Sequence, residues 1–150
     1  MTSSTMILPT GEKLKEEAVN PKTLIGASKI NPAVIPAPAI VHLALAMMNG
    51  EYKYTKYNWR EIKVPSETYI GAMERHLLAY KDGEDFAGDS LVHHLAHIMA
   101  CCAILLDAME GGHLIDNRGH PGTASQVMAR YNARLPEMRA AWERAKNGTV

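Results

Sequence analysis

The chain has 150 residues, 47% hydrophobic and 21% charged, which is enough for one cored domain and too short for two of ordinary size. Lys plus Arg and Asp plus Glu both number 16, so no net field draws the chain to a nucleic-acid polymer or an anionic membrane. The longest apolar stretches, such as Leu95 to Leu106, fall short of the roughly 20 residues of a membrane span. The start, MTSSTMILPTGEKLKEE, has neither the basic opening nor the long apolar run of a secretory signal, so the expected location is the cytoplasm. Cys101 and Cys102 are neighbours that cannot easily bridge each other and read as reduced core thiols.

Residues 1–37 hold Pro9, Pro21, Pro32 and Pro36 and show no sustained period, which predicts an arm with at most one helical turn. From Pro38, the residues Ile40, Leu43, Ala44, Met47 and Met48 repeat at helical spacing, with Gly50 as the expected C-cap. The polar, aromatic stretch from Glu51 to Pro65 predicts a surface loop carrying side chains. A second helix is predicted over about 67–82, with Ser66 as N-cap and Tyr69, Met73, His76, Leu77 and Tyr80 on one stripe. Asp89 or Ser90 is the expected cap of a third helix, the centre of the core, with Leu91, Leu95, Ile98, Cys102, Leu105 and Met109 on its inner face and Gly111 and Gly112 ending it. After Thr123, which with Gln126 suggests a capping box, Val127, Tyr131, Leu135, Met138 and Trp142 continue a helical pattern broken at Pro136. No strand alternation of useful length appears. The predicted class is all-α: a compact bundle of about four helices, with an N-terminal arm (1–28), a helical core (29–112) and a C-terminal helical extension (113–150).

The densest polar cluster is GEDFAGDSLVHHLAH, residues 83–97, with three of the seven histidines beside Glu84, Asp85 and Asp89. At about 100° per residue, Ser90, His94, His97 and Cys101 share one stripe, so His94 and His97 point into one site. A histidine pair with nearby carboxylates suits a divalent metal holding a phosphate; hydrogen-bonded helix histidines without a metal are the competing reading. His76, on an apolar stripe beside Arg75, reads by itself as a satisfied core histidine. Lys53, Tyr54, Lys56, Tyr57, Asn58, Trp59 and Arg60 combine cationic donors for phosphate with flat rings for a base, or else form a basic aromatic rim packed on the core. No phosphate-cradling glycine loop, GxSxG elbow or reactive-cysteine context occurs.

Five segments in order resemble a phage-borne family of dATP/dGTP diphosphohydrolases, close to the MazG-type all-α nucleotide pyrophosphohydrolases. They are Lys29 with Val34, Ile35 and Pro36; Gly50, Lys53, Tyr54, Asn58 and Trp59; Arg75 and His76; Gly83, Glu84 and Asp85; and the HHLAH run from His93 to His97. The resemblance runs from about Lys29 to Met109. It implies hydrolysis of a deoxypurine nucleoside triphosphate to monophosphate and pyrophosphate, with Mg or Mn as the divalent metal, in the host cytoplasm. It further implies Glu84, Asp85, His94 and His97 as metal ligands, Glu84, His76 and His94 as catalytic residues, and Lys53, Tyr54, Asn58, Trp59 and Arg75 as nucleotide contacts.

The pattern departs at Asn31 and Ala33, where an arginine and an aspartate are expected, at Ala87, where another acidic residue is usual, and at Leu91, which replaces a glycine. Losing a cation and two carboxylates can remove a metal and leave the nucleotide pocket, since hydrolysis needs a correctly held water and binding does not. Two further readings therefore stand beside the hydrolase. One is a catalytically weakened protein that sequesters a nucleotide or a nucleotide-derived defence signal; the other is a helical interaction or structural protein. All three accommodate a homo-oligomer, dimer or tetramer, because three principal helices cannot cover the apolar arc of the third. The expected partner is a small-molecule nucleotide, with no nucleic-acid polymer and no membrane.

Overall fold

The computed structural model describes residues 20–119 and 122–148; most of the expected arm, residues 1–19, and Pro121 lie outside the described residues. The fold is all-α apart from one two-stranded pairing. In chain order it has α1 (Pro21–Ala27), a 3-10 turn at Pro32–Val34, α2 (Ala37–Tyr54), a 3-10 turn at Asn58–Arg60, β1 (Val64–Pro65), α3 (Ser66–Lys81), α4 (His94–Glu110), β2 (Leu114–Ile115), α5 (Ala124–Asn132) and α6 (Leu135–Lys146). No helix among the described residues is long and apolar enough to cross a membrane.

Helix α2 does not stop at Gly50. An interior glycine costs a helix only about 1 kcal/mol, and the following Glu51 to Tyr54 continue it until Thr55 turns to φ 79°. The first four residues of the expected aromatic loop are therefore helix, which places Lys53 and Tyr54 on a rigid element. Tyr57, at φ 58°, then turns the chain into the Asn58–Arg60 turn. The missed strands are two residues each: Val64 pairs with Leu114 and Pro65 with Ile115, in parallel, and Val64 is 2% exposed. Ser66 does not cap α3; its hydroxyl donates to the Ile115 carbonyl at 3.2 Å and ties the start of α3 to β2.

Helix α4 begins at His94, later than expected, and its cap is His93, whose Nδ1 accepts from Leu95 N at 3.1 Å. Asp89 and Ser90 belong to a closed turn in which Leu91 N donates to Ala87 O at 2.8 Å and Ala87 N to Val92 O at 3.0 Å. Leu91 sits there at φ 59° with 77% of its surface exposed. The left-handed conformation costs an L-residue about 1–2 kcal/mol and a glycine almost nothing, which accounts for the glycine expected at this position. Leu91→Gly is therefore expected to stabilise the fold by about 1 kcal/mol. A urea midpoint that rises at unchanged slope checks this, and a falling midpoint contradicts it.

Helix α4 packs against both α2 and α3, as expected of the central helix, but through a different face. Its buried residues are His94, Ala96, Ala100 and Ala108, and the core is built from Ala46 of α2 with Val92, Ala96 and Ala100. Alanines let the helix axes approach closely, so the small-residue face turns inward. Of the larger stripe expected inside, Ile98 and Leu105 are half-buried, while Leu91, Leu95 (38%) and Met109 (52%) are exposed, as is Cys102. Beyond β2 the pattern forms two helices, with Pro136 in the first turn of α6, where a missing N–H costs nothing. Thr123 precedes α5 without making the expected side-chain cap. Met128, Tyr131, Leu135, Met138 and Trp142 are all more than half exposed.

Candidate functional site

Helices α2, α3 and α4 enclose a cleft of about 490 Å³. Each contributes one stripe at helical spacing: Ala46, Met47, Asn49, Gly50, Lys53 and Tyr54 from α2; Thr68, Tyr69, Ala72, Arg75 and His76 from α3; His97, Ala100, Cys101 and Ile104 from α4. Asn58 and Trp59 close one end, and Asp89 also lines the wall. A Cβ built on Gly50 would meet nothing within 4 Å, so the glycine leaves open space in the wall.

The Asn58–Arg60 turn is fastened to α4 by one carboxylate. Trp59 Nε1 donates to Asp107 Oδ2 at 2.7 Å, Arg60 Nε to the same oxygen at 2.8 Å, and Arg60 Nη2 to Oδ1 at 2.7 Å. The Arg60 guanidinium first, and the indole second, pull the Asp107 pKa down to about 2. Arg60 also lies over the Tyr57 ring, 4.7 Å from its centroid, and Tyr57 meets Trp59 edge-on at 5.4 Å. Trp59 thus stands at the cleft with its indole nitrogen anchored and its ring held.

Two cations reach the cleft. Lys53 Nζ is 3.1 Å from Asp89 Oδ2, whereas Arg75 makes no ion pair among the described residues. Deeper in lies a histidine cluster. His76 Nδ1 and His94 Nδ1 are 2.8 Å apart, the His76 and His97 rings stack at 4.4 Å with planes 8° apart, and His97 Nε2 is 2.8 Å from Ser90 Oγ. Burial lowers the pKa of both His76 and His97, with neighbouring charges acting after it, which favours the neutral form of each ring.

The family model described as dATP/dGTP diphosphohydrolase, N-terminal, matches residues 19–118 of the 150. The chain belongs to this family. No curated protein and no solved structure matches it. The matched span of this dATP/dGTP diphosphohydrolase N-terminal family member contains every residue that lines the cleft and ends before α5 and α6.

Of the residues nominated from sequence, Lys53, Tyr54, Asn58, Trp59, Arg75, His76 and His97 line one cleft; Glu84, Asp85 and His94 do not. His94 is 5% exposed and lies beside His76, while Glu84 and Asp85 sit on the turn before α4, held there by His94 N donating to Asp85 O at 2.9 Å. Glu84 Oε2 is 3.9 Å from His94 Nε2, and Asp85 Oδ1 is 3.9 Å from His93 Nε2. Among the described residues no three His, Cys, Asp or Glu side chains group to hold a metal ion. His97 lines the cleft and hydrogen-bonds Ser90 Oγ, whereas Glu84, Asp85 and His94 are not part of the lining, so the nominated four do not come together as one donor set for a resident Mg or Mn.

Asn49, Thr68, Tyr69 and Asp107 were not singled out by sequence. Tyr69 reads as core by its stripe and Asn49 as part of a helix end. Asp107 is 48 residues from Trp59, a distance no local pattern bridges. Asp107→Asn keeps the shape and loses the charge that holds Arg60, so it is expected to raise the KM for nucleotide about 10-fold at little change in kcat, as loosened positioning of Trp59 removes binding alone. Steady-state kinetics check this; an unchanged KM means that the anchor does not serve the cleft.

Proposed function

We propose that the cleft binds a deoxypurine nucleoside triphosphate and that the protein hydrolyses it to the monophosphate and pyrophosphate. The observation that carries this reading is the meeting in one cleft of Arg75, free of any ion pair among the described residues, with Lys53 and with the rings of Trp59, Tyr54 and Tyr69. Phosphate oxygens need charged donors and a base needs a flat apolar face, and these residues supply both at one address. The family description supports a dATP or dGTP substrate. A divalent cation enters in this account on the triphosphate it already neutralises in solution, as part of the substrate. This reading assigns the uptake of the water's proton to His76 and His97, which line the cleft and whose burial favours the neutral ring.

A second reading has its own support. Ala87 stands where an acidic residue is usual and is 5% exposed inside the turn before α4, so that turn has no carboxylate there to hold a water. Under this reading the same cleft sequesters a nucleotide without cutting it. In either case the exposed apolar faces of α4, α5 and α6 favour assembly with further copies, measurable by light scattering.

The test is to incubate the protein with dATP, dGTP and the ribonucleotides in Mg, Mn or EDTA, and to separate products and retained ligand after denaturation. Monophosphate plus pyrophosphate from a deoxypurine triphosphate supports the hydrolase. Intact nucleotide recovered without turnover supports sequestration, and neither product nor retained nucleotide overturns both.

A further inference from the structure

Helix α2 serves the cleft with one side only. At about 100° per residue, Ala46, Asn49, Gly50 and Lys53 face the cleft, while Val41, Leu45, Met48 and Tyr52 form a stripe on the opposite side. That stripe is open: Val41 is 68%, Leu45 47%, Met48 48% and Tyr52 79% exposed. Its steps of four, three and four residues are those of a helix–helix seam, and they read the same in both directions along the chain. Two copies laid antiparallel, with a twofold axis at the level between Ala46 and Met47, set Val41 of one against Tyr52 of the other, and Leu45 against Met48. The smallest side chain then meets the largest, and the two of middle size meet each other. A parallel pairing sets Tyr52 on Tyr52 at one end and Val41 on Val41 at the other, crowded and then gapped.

We propose that this outward stripe of α2 is the surface on which two copies of the chain pair, antiparallel and about a twofold axis. Charge favours a second copy over other occupants. The stripe itself is uncharged, with His42 and Asn49 along one flank and Ala44 and Glu51 along the other. In the antiparallel register Glu51 lies beside Ala44 of the second copy and His42 beside its Asn49, so no like charges meet. A charged peptide or a nucleic acid finds no array of counter-charges there. At roughly 150–250 Å² per side chain, the exposed fractions leave about 500 Å² of apolar surface on each copy, so the pair covers about 1,000 Å², the size at which specific interfaces begin. The pairing braces from behind the helix that carries Asn49, Lys53 and Tyr54 and leaves the cleft open. Further association through α4, α5 or α6 would multiply this pair without replacing it, and the pairing stands whether or not the cleft hydrolyses nucleotide.

The test is light scattering on the full chain after size-exclusion chromatography. The parent is expected to have the mass of a dimer or a multiple of it, and Leu45→Glu and Met48→Lys are each expected to halve that mass, since each sets a charge against an apolar side chain twice per pair. Mixed in equal amounts, the two variants are expected to regain the parent's mass, because one Glu–Lys contact and one native Leu–Met contact then form. A parallel pairing offers neither. Tyr52→Asp changes a residue 79% exposed in the single chain, so its helix content should be unchanged while the dissociation constant rises at least 10-fold. Should Leu45→Glu or Met48→Lys lose helical circular dichroism, Tyr52→Asp alone decides. A monomeric parent overturns the proposal, as does a parent assembly that Tyr52→Asp and the folded charge variants leave unmoved. A mixture that stays at half the parent's mass overturns the antiparallel register.

Discussion

Arg75→Met is expected to weaken nucleoside triphosphate binding by about 10- to 100-fold, the range that follows from losing a charge-assisted hydrogen bond to phosphate. Arg75 lines the cleft from α3 and, unlike Lys53, has no carboxylate partner among the described residues, so its charge is available to an incoming anion. Arg75 is exposed, and the unfolding free energy of the variant should stay within about 0.5 kcal/mol of the parent. Arg75→Lys keeps the charge but not the planar fork and should fall between the two. Calorimetric titration with dGTP measures all three. Equal affinity in the parent and in Arg75→Met would mean that the phosphates lie elsewhere.

Ala96→Leu is expected to be the most destabilising single change, by about 1–3 kcal/mol, because the added carbons have no void to enter. Ala96 is 0% exposed and packs with Ala46 and Ala100 where α4 meets its neighbours. Relief comes only by moving helices apart, and since Ala46 and Ala100 also line the cleft, nucleotide affinity should fall with stability. Leu95→Ala, one residue along on the partly exposed face, should cost less because the side chain it trims is 38% exposed. Denaturant midpoints of the two variants check the order. A parent-like midpoint in Ala96→Leu would contradict the alanine-based core.

The helices were legible in the sequence where a periodic stripe ended in a clear stop: α3 between Pro65 and Gly83, and the break that separates α5 from α6 just before Pro136. The inner face of α4 was not, because α4 is apolar on two sides. Sequence weighting favours Leu95 and Met109, whereas packing favours the alanines that allow close approach. The site was legible in part for a related reason. Lys53, Tyr54, Asn58, Trp59, Arg75, His76 and His97 carry obvious chemistry and all line the cleft. The Glu84–Asp85 turn also carries obvious chemistry, but the late start of α4 at His94 and the bond from His94 N to Asp85 O set it behind the histidines. Asp107 was invisible because its importance lies in two long-range hydrogen-bond partners and in nothing local.

Trp59 offers the most direct test of nucleotide binding in this cleft. The chain has two tryptophans, so Trp142→Phe on the exposed face of α6 leaves Trp59 as the sole indole emitter. Titration of that variant with dGTP is predicted to quench Trp59 saturably, at one site per chain, as the base comes against the ring, and the quench should weaken when Arg75→Met is added. Trp59 emission that stays constant through saturating dGTP would contradict the account.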